Sequence, residues 1–167
     1  GLQPIYSDYE KFVNENLVIR AHGIPKQLKK ALSINNNICD TTCPLVSKIY
    51  EHVEGAVSKG NFIVIIGDEN HPEIKGIKSY ATDSSIVLNS DDDVQDFIAH
   101  SNKEINITIV SQTTNKKEHF ERLSKLLSQS FKNTTIIDTI CNATNQRQTS
   151  CRLLASKVDA MIILGGK

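Results

Sequence analysis

The sequence predicts an α/β fold in which parallel sheets are covered by helices, and three observations predict it. Short runs rich in Val and Ile alternate with amphipathic segments from end to end. The strongest runs, "FIVII" and "ITIV", are apolar nearly throughout, as strands buried on both faces are. Reactive side chains follow directly after such runs, where the loops at the carboxyl ends of parallel strands hold ligands.

In chain order, strands are expected at residues 17–20, 37–39, 62–66, 85–88, 105–110, 135–137 and 160–164, after at most one weak strand ("PIY") and one helix. Helical period is kept by Leu45, Val46, Ile49, Val53, Ala56 and Val57, and again by Phe120, Leu123, Leu126 and Leu127. Pro25, Pro44 and Pro72 fall at or near first turns of helices, where the missing N–H has no helical partner. The chain stops at "MIILGGK", directly after a strong strand and a glycine turn, where a ligand loop is expected to begin. That points to a piece of a larger protein, with a natural edge strand as the alternative.

Length and charge exclude several classes of function. The 167 residues are enough to bury a core. Nineteen basic against nineteen acidic residues, with no basic block, leave no electrostatic footprint for nucleic acid. No apolar run approaches the roughly 20 residues that span a bilayer, and "GLQPIYSDYEKF" has no signal-peptide character. The expected setting is soluble and cytoplasmic. Four cysteines there read as thiols or metal ligands before disulfides.

The candidate site is built from loops after strands: His22, Thr42 and Cys43, His71 and Glu73, Gln112 to Thr114, and Cys141. His22 and His71 lie just before helix starts, whose free N–H groups favour anions, so each imidazole could flank a phosphate. Taken singly, each also reads as a solvated or capping residue. In "HPE", Glu73 follows the imidazole by two residues. A carboxyl in a water-poor site can carry a proton at neutral pH and serve as a general acid, while first-turn helix decoration is the plainer reading. "SQTT" offers hydroxyls that relay a proton or orient a substrate, or else a capping turn. His52, His100 and His119 sit in or beside helical patterns and receive no role.

The cysteines divide into two kinds. Cys39, within a strand, and Cys151, on the helical face of Leu154, Ala155 and Val158, read as buried structural thiols. Cys43 and Cys141 occupy strand-to-helix loops, where a helix amino end favours the thiolate. Both belong to an Asp-Thr-x-Cys repeat, "DTTC" and "DTIC". No C-x-x-C pair supports zinc, and a lone nucleophile needs only one cysteine. Two equivalent positions suggest a soft metal centre shared between two similar substructures.

The motifs "AHG", "DTTCPLVSK", "HPEIKG", "SQTT" and "DTICNATNQRQ", in this order across nearly the whole chain, resemble those of the 4-hydroxy-3-methylbut-2-enyl diphosphate reductases, the last enzymes of the non-mevalonate isoprenoid pathway. The resemblance implies three similar α/β units arranged in pseudo-threefold fashion around a [4Fe–4S] cluster held by three cysteines. It divides this chain into the end of a first unit (1–41), a second unit (42–139) and the start of a third (140–167). It implies that Cys43 and Cys141 are cluster ligands and that His22 and His71 hold the diphosphate. It further implies that Glu73 supplies a proton, that Thr113 contacts the substrate and helps pass that proton, and that ferredoxin or flavodoxin supplies electrons. The family's first cluster cysteine and its Ser-x-Asn diphosphate loop have no counterpart in these residues, and "NATNQRQ" departs from the commoner "ATTNRQ". This chain alone is therefore expected to be inactive. A phosphate-binding α/β module without a redox centre, and a bare structural fragment that binds neither group, are the other readings.

Overall fold

A computed structural model describes residues 3–5 and 7–164. After a 3₁₀ turn at Tyr9–Lys11, strand β1 (Asn16–Ile19), helix α1 (Lys26–Asn35) and strand β2 (Asn37–Asp40) form a two-stranded parallel sheet with Leu17 opposite Ile38. The rest of the chain runs α2 (Pro44–Val57), β3 (Phe62–Ile66), α3 (Pro72–Ala81), β4 (Ser85–Leu88), α4 (Asp91–His100), β5 (Asn106–Ser111), α5 (Lys117–Ser130), β6 (Asn133–Ile136) and α6 (Asn142–Ala155). Its strands make one parallel sheet in the order β4-β3-β5-β6.

The central strands are covered on both faces, as their apolar runs require. Ile63, Ile65 and Val110 pack with Val46, Ile49, Val53, Ile74 and Ile77 of α2 and α3. Val64, Ile66, Ile107 and Ile109 pack on the other face with Val94, Phe97, Phe120, Leu123 and Leu127. Each full burial of such a side chain stabilises by about 1.5–3 kcal/mol. The helix starts have local causes: Pro44 and Pro72 occupy first turns, and Ser90 with Asp93 forms a capping box ahead of α4. On α2 the buried face is Val46, Ile49, Tyr50, Val53 and Ala56, while Leu45, expected on that face, is exposed.

The sheet order places a topological switch point between β3 and β5, because the chain leaves β3 for one side and β5 for the other. All carboxyl ends of this sheet point the same way.

Among the described residues, neither the weak strand allowed for at the start nor the one expected at residues 160–164 forms. In "PIY", Pro4 and Ile5 are irregular and Tyr6 lies outside the described residues, and the early helix is only the three-residue 3₁₀ turn. Residues 160–164 are irregular, with Met161 partly buried and Ile162, Ile163 and Leu164 exposed; the glycine turn after them lies outside the described residues. A β-prone run becomes a strand only when a neighbour takes its backbone N–H and C=O groups, and no described strand pairs with this one. The two thiols expected to be interior are also exposed. Cys39 belongs to a sheet whose helix α1 buries no residue, and Cys151 to α6, which likewise buries none.

Candidate functional site

Both Asp-Thr-x-Cys segments fold into one and the same loop. Asp40 Oδ1 accepts the Thr42 N–H at 2.9 Å, and Asp138 Oδ1 accepts the Ile140 N–H at 3.1 Å. The Thr41 hydroxyl donates to the carbonyl of Ile19, the last residue of β1. The Thr139 hydroxyl donates at 2.6 Å to the carbonyl of Ser111, the last residue of β5, and accepts its N–H at 2.7 Å. Two residues beyond those strand ends, the carbonyls of Ala21 and Thr113 each accept a cysteine N–H, from Cys43 and Cys141, at 2.9 Å. Each cysteine is the N-cap of the following helix, and each Asp carries a lysine: Lys29 on Asp40 at 2.6 Å and Lys117 on Asp138 at 3.9 Å. Burial pushes the Asp40 carboxyl up, but Lys29 and the Thr42 hydrogen bonds outweigh it and hold the group below the usual carboxylate range.

The remaining residues join these two loops. The rings of His22 and His71 meet edge to face with centroids 5.5 Å apart. His71 is the N-cap of α3, and its Nδ1 accepts the Glu73 N–H at 3.2 Å. In the neutral ring the proton therefore sits on Nε2, leaving that N–H as a donor for a ligand. Burial holds His71 below the ordinary histidine range, against the attraction of Glu73. His22 Nδ1 is buried without a hydrogen-bond partner among the described residues, an unmet polar group next to the His71 ring.

Glu73 spans the switch point. Although glutamate is seldom interior, it is 1% exposed, and its two oxygens accept from a single residue of the loop after β5. The Thr113 N–H donates to Oε1 at 2.6 Å and the Thr113 hydroxyl to Oε2 at 2.7 Å. Thr113 in turn holds Cys141 through its carbonyl. A continuous path of contacts thus runs from Cys43 through Ala21 and His22 to His71, Glu73, Thr113 and Cys141. All seven lie beyond the carboxyl ends of parallel strands.

A separate cavity of about 370 Å³ opens beside Gly67, Gln112, Thr114, Lys116 and His119, and none of the seven lines it. Among the described residues no group of three His, Cys, Asp or Glu side chains could hold a metal ion. Cys43 and Cys141 suit a thiolate-ligated centre in chemistry and place, being free thiols at helix amino ends, but not in number. Sequence reasoning used the cysteines of the repeat and overlooked what positions them, Asp40 with Thr41 and Asp138 with Thr139, although the repeat itself contained that signal.

Comparison with known proteins gives a consistent answer. The family model for LytB protein matches residues 1–167. A 4-hydroxy-3-methylbut-2-enyl diphosphate reductase of Campylobacter hominis is 42% identical over 163 residues, which are 96% of this chain and 58% of that protein. A solved (E)-4-hydroxy-3-methyl-but-2-enyl diphosphate reductase, described as the terminal enzyme of the non-mevalonate pathway, is 36% identical with a TM-score of 0.74 over 96% of this chain and 58% of its own. The E-1-hydroxy-2-methyl-but-2-enyl-4-diphosphate reductase from Plasmodium falciparum is 26% identical, with a TM-score of 0.83 over 91% of this chain and 48% of its own. The chain thus spans about half the length of these relatives.

Proposed function

The chain belongs to the LytB family, and from that premise we propose that it is the central portion of a reductase acting on (E)-4-hydroxy-3-methylbut-2-enyl diphosphate. The reaction takes in two electrons and two protons, releases the substrate hydroxyl as water, and yields isopentenyl and dimethylallyl diphosphates. The observation that carries this reading is the unbroken path from one N-cap cysteine, through paired imidazoles and a buried Glu–Thr pair, to the other.

Each residue has a part in this reading. His71 donates from Nε2 to the diphosphate, and His22, whose ring meets it edge to face, flanks the same group. In this reading Thr113 stands between Glu73, with which it is paired, and the substrate. Its hydroxyl both donates and accepts, so it can hand a proton from Glu73 to the departing oxygen and orient that end of the substrate. Cys43 and Cys141 would hold a [4Fe–4S] cluster together with a third cysteine from the rest of the protein. When bound, that cluster supplies the electrons, delivered by ferredoxin or flavodoxin, and a Lewis-acidic iron.

In the same reading, residues 42–139 form one unit, carried by the four-stranded sheet, between the end of a first unit (1–41) and the start of a third (140–167). The compartment is the cytoplasm, where four free thiols stay reduced. No helix among the described residues is long and apolar enough to cross a membrane. The isolated chain is expected to be inactive. The test is anaerobic reconstitution of the intact protein, expected to give about four irons per chain, as a [4Fe–4S] centre requires, and turnover of the diphosphate. A protein that binds pyrophosphate but no iron would instead be a phosphate-binding module.

A further inference from the structure

We propose that Tyr50 is a positioning residue for the two imidazoles, its hydroxyl setting the spacing at which His22 and His71 meet a phosphate; this rests on the diphosphate reading above. The phenol enters from α2 between two other elements and donates to the His22 carbonyl at 3.2 Å. The same oxygen fills the space that a Cβ would take at two glycines. A Cβ at Gly23 would lie 2.3 Å from it and one at Gly76 2.4 Å from it, both far inside any real contact. Gly23 also has φ +71°, which favours glycine in any case. Gly23 directly follows His22, and Gly76 lies in α3 behind His71 and Glu73. The two glycines let both backbones close on one oxygen, so the tyrosine gauges the distance between the imidazole-bearing elements.

The phenol is itself braced. Tyr80 stacks on its ring with centroids 4.2 Å apart and planes 9° from parallel, and the Lys26 ammonium lies over Tyr80 at 5.5 Å. The Lys26 N–H donates to Ser79 Oγ at 2.9 Å, and that hydroxyl donates to the Gly76 carbonyl at 2.6 Å. The start of α1 is thereby tied to α3 on the same side. Burial pushes the phenol's pKa upward, so it keeps its proton and its donor role throughout the working pH range.

The test uses the intact protein with Y50F, G76A and the double variant. Two quantities are read: imidazole resonances of His22 and His71 without ligand, and affinity for inorganic pyrophosphate. Phenylalanine keeps the ring and its stack and removes only the hydroxyl. Y50F is expected to move the His22 resonances and weaken pyrophosphate binding about three- to ten-fold, the scale of one lost hydrogen bond. G76A is expected to weaken binding further, and the double variant to bind better than G76A alone, because the added methyl then meets only the ring edge. Unmoved resonances in Y50F, or purely additive losses in the double variant, overturn the proposal and leave Tyr50 a core residue. A parent protein that binds no pyrophosphate overturns the diphosphate reading instead, and the ligand-free resonances still decide the role of Tyr50.

Discussion

The Cys43 and Cys141 regions share a loop and differ in almost everything attached to it. In both, an Asp side chain closes the turn, a Thr hydroxyl ties it to the end of the neighbouring strand, and the Cys N–H reaches two residues further along. Beyond the first loop, α2 buries five side chains against the sheet, whereas α6 buries none. The loop is therefore set by its own four residues and one adjacent strand, while helix burial depends on a tertiary partner. The chemistry presented also differs. Next to the first loop, Ala21 leads to the imidazole of His22; at the matching place in the second, Thr113 carries the hydroxyl paired with Glu73. One scaffold thus offers a basic end and an acidic end.

The most severe way to break the equivalence is at the cysteines. In the intact protein C43S and C141S are each expected to abolish iron incorporation and turnover, to the same extent, as iron analysis and anaerobic assay will show. An intact cluster in either variant would mean that the two loops are alike in shape only. Next comes E73Q, expected to lower kcat about 10²–10⁴-fold, the usual contribution of a general acid, with pyrophosphate affinity unchanged. A loss confined to affinity would move Glu73 from proton delivery to binding.

A smaller effect separates the two threonines. T139V leaves the buried Ser111 N–H without its acceptor and is expected to cost about 1–3 kcal/mol in urea unfolding. T41V removes only a donor, since the Thr41 N–H still satisfies the Ile19 carbonyl, and should cost about 0.5–1.5 kcal/mol. The reverse order would show that the loops are held differently from their hydrogen bonds. The smallest effect is one of pH. Because His71 is held below the ordinary histidine value of about 6.5, the unfolded chain protonates first as pH falls. The His71 contribution to stability is complete above that value and declines below it, with a small amplitude because the ring is partly exposed. H71N keeps a good N-cap and should flatten the unfolding free energy between about pH 5 and 7.

Much of this was legible in the sequence for identifiable reasons. Ile- and Val-rich runs at β3 and β5 point to doubly covered parallel strands, and His-Pro-Glu announces a helix start that the structure shows capped by the imidazole. The Glu73–Thr113 pair is a contact across 40 residues, which a linear pattern does not reveal. Tyr50 was passed over because a phenol weakens an apolar period even where its ring completes it. The exposure of Cys39, Cys151 and residues 160–164 escaped notice for a single reason: apolar patterning records which face of an element seeks cover, and only the fold shows whether cover is present.

The thin burial of the first two strands has a kinetic consequence. In this chain, which spans about half the length of its relatives, only Ile19 of β1 is buried and β2 and α1 contribute no buried residue, so the small sheet is the less protected of the two. Its backbone amides should exchange with solvent through local opening, while those of Ile63 to Ile66 and Ile107 to Val110 await global unfolding. One imidazole and one cysteine ride next to that sheet, and the carboxyl–hydroxyl pair rides on the slow one.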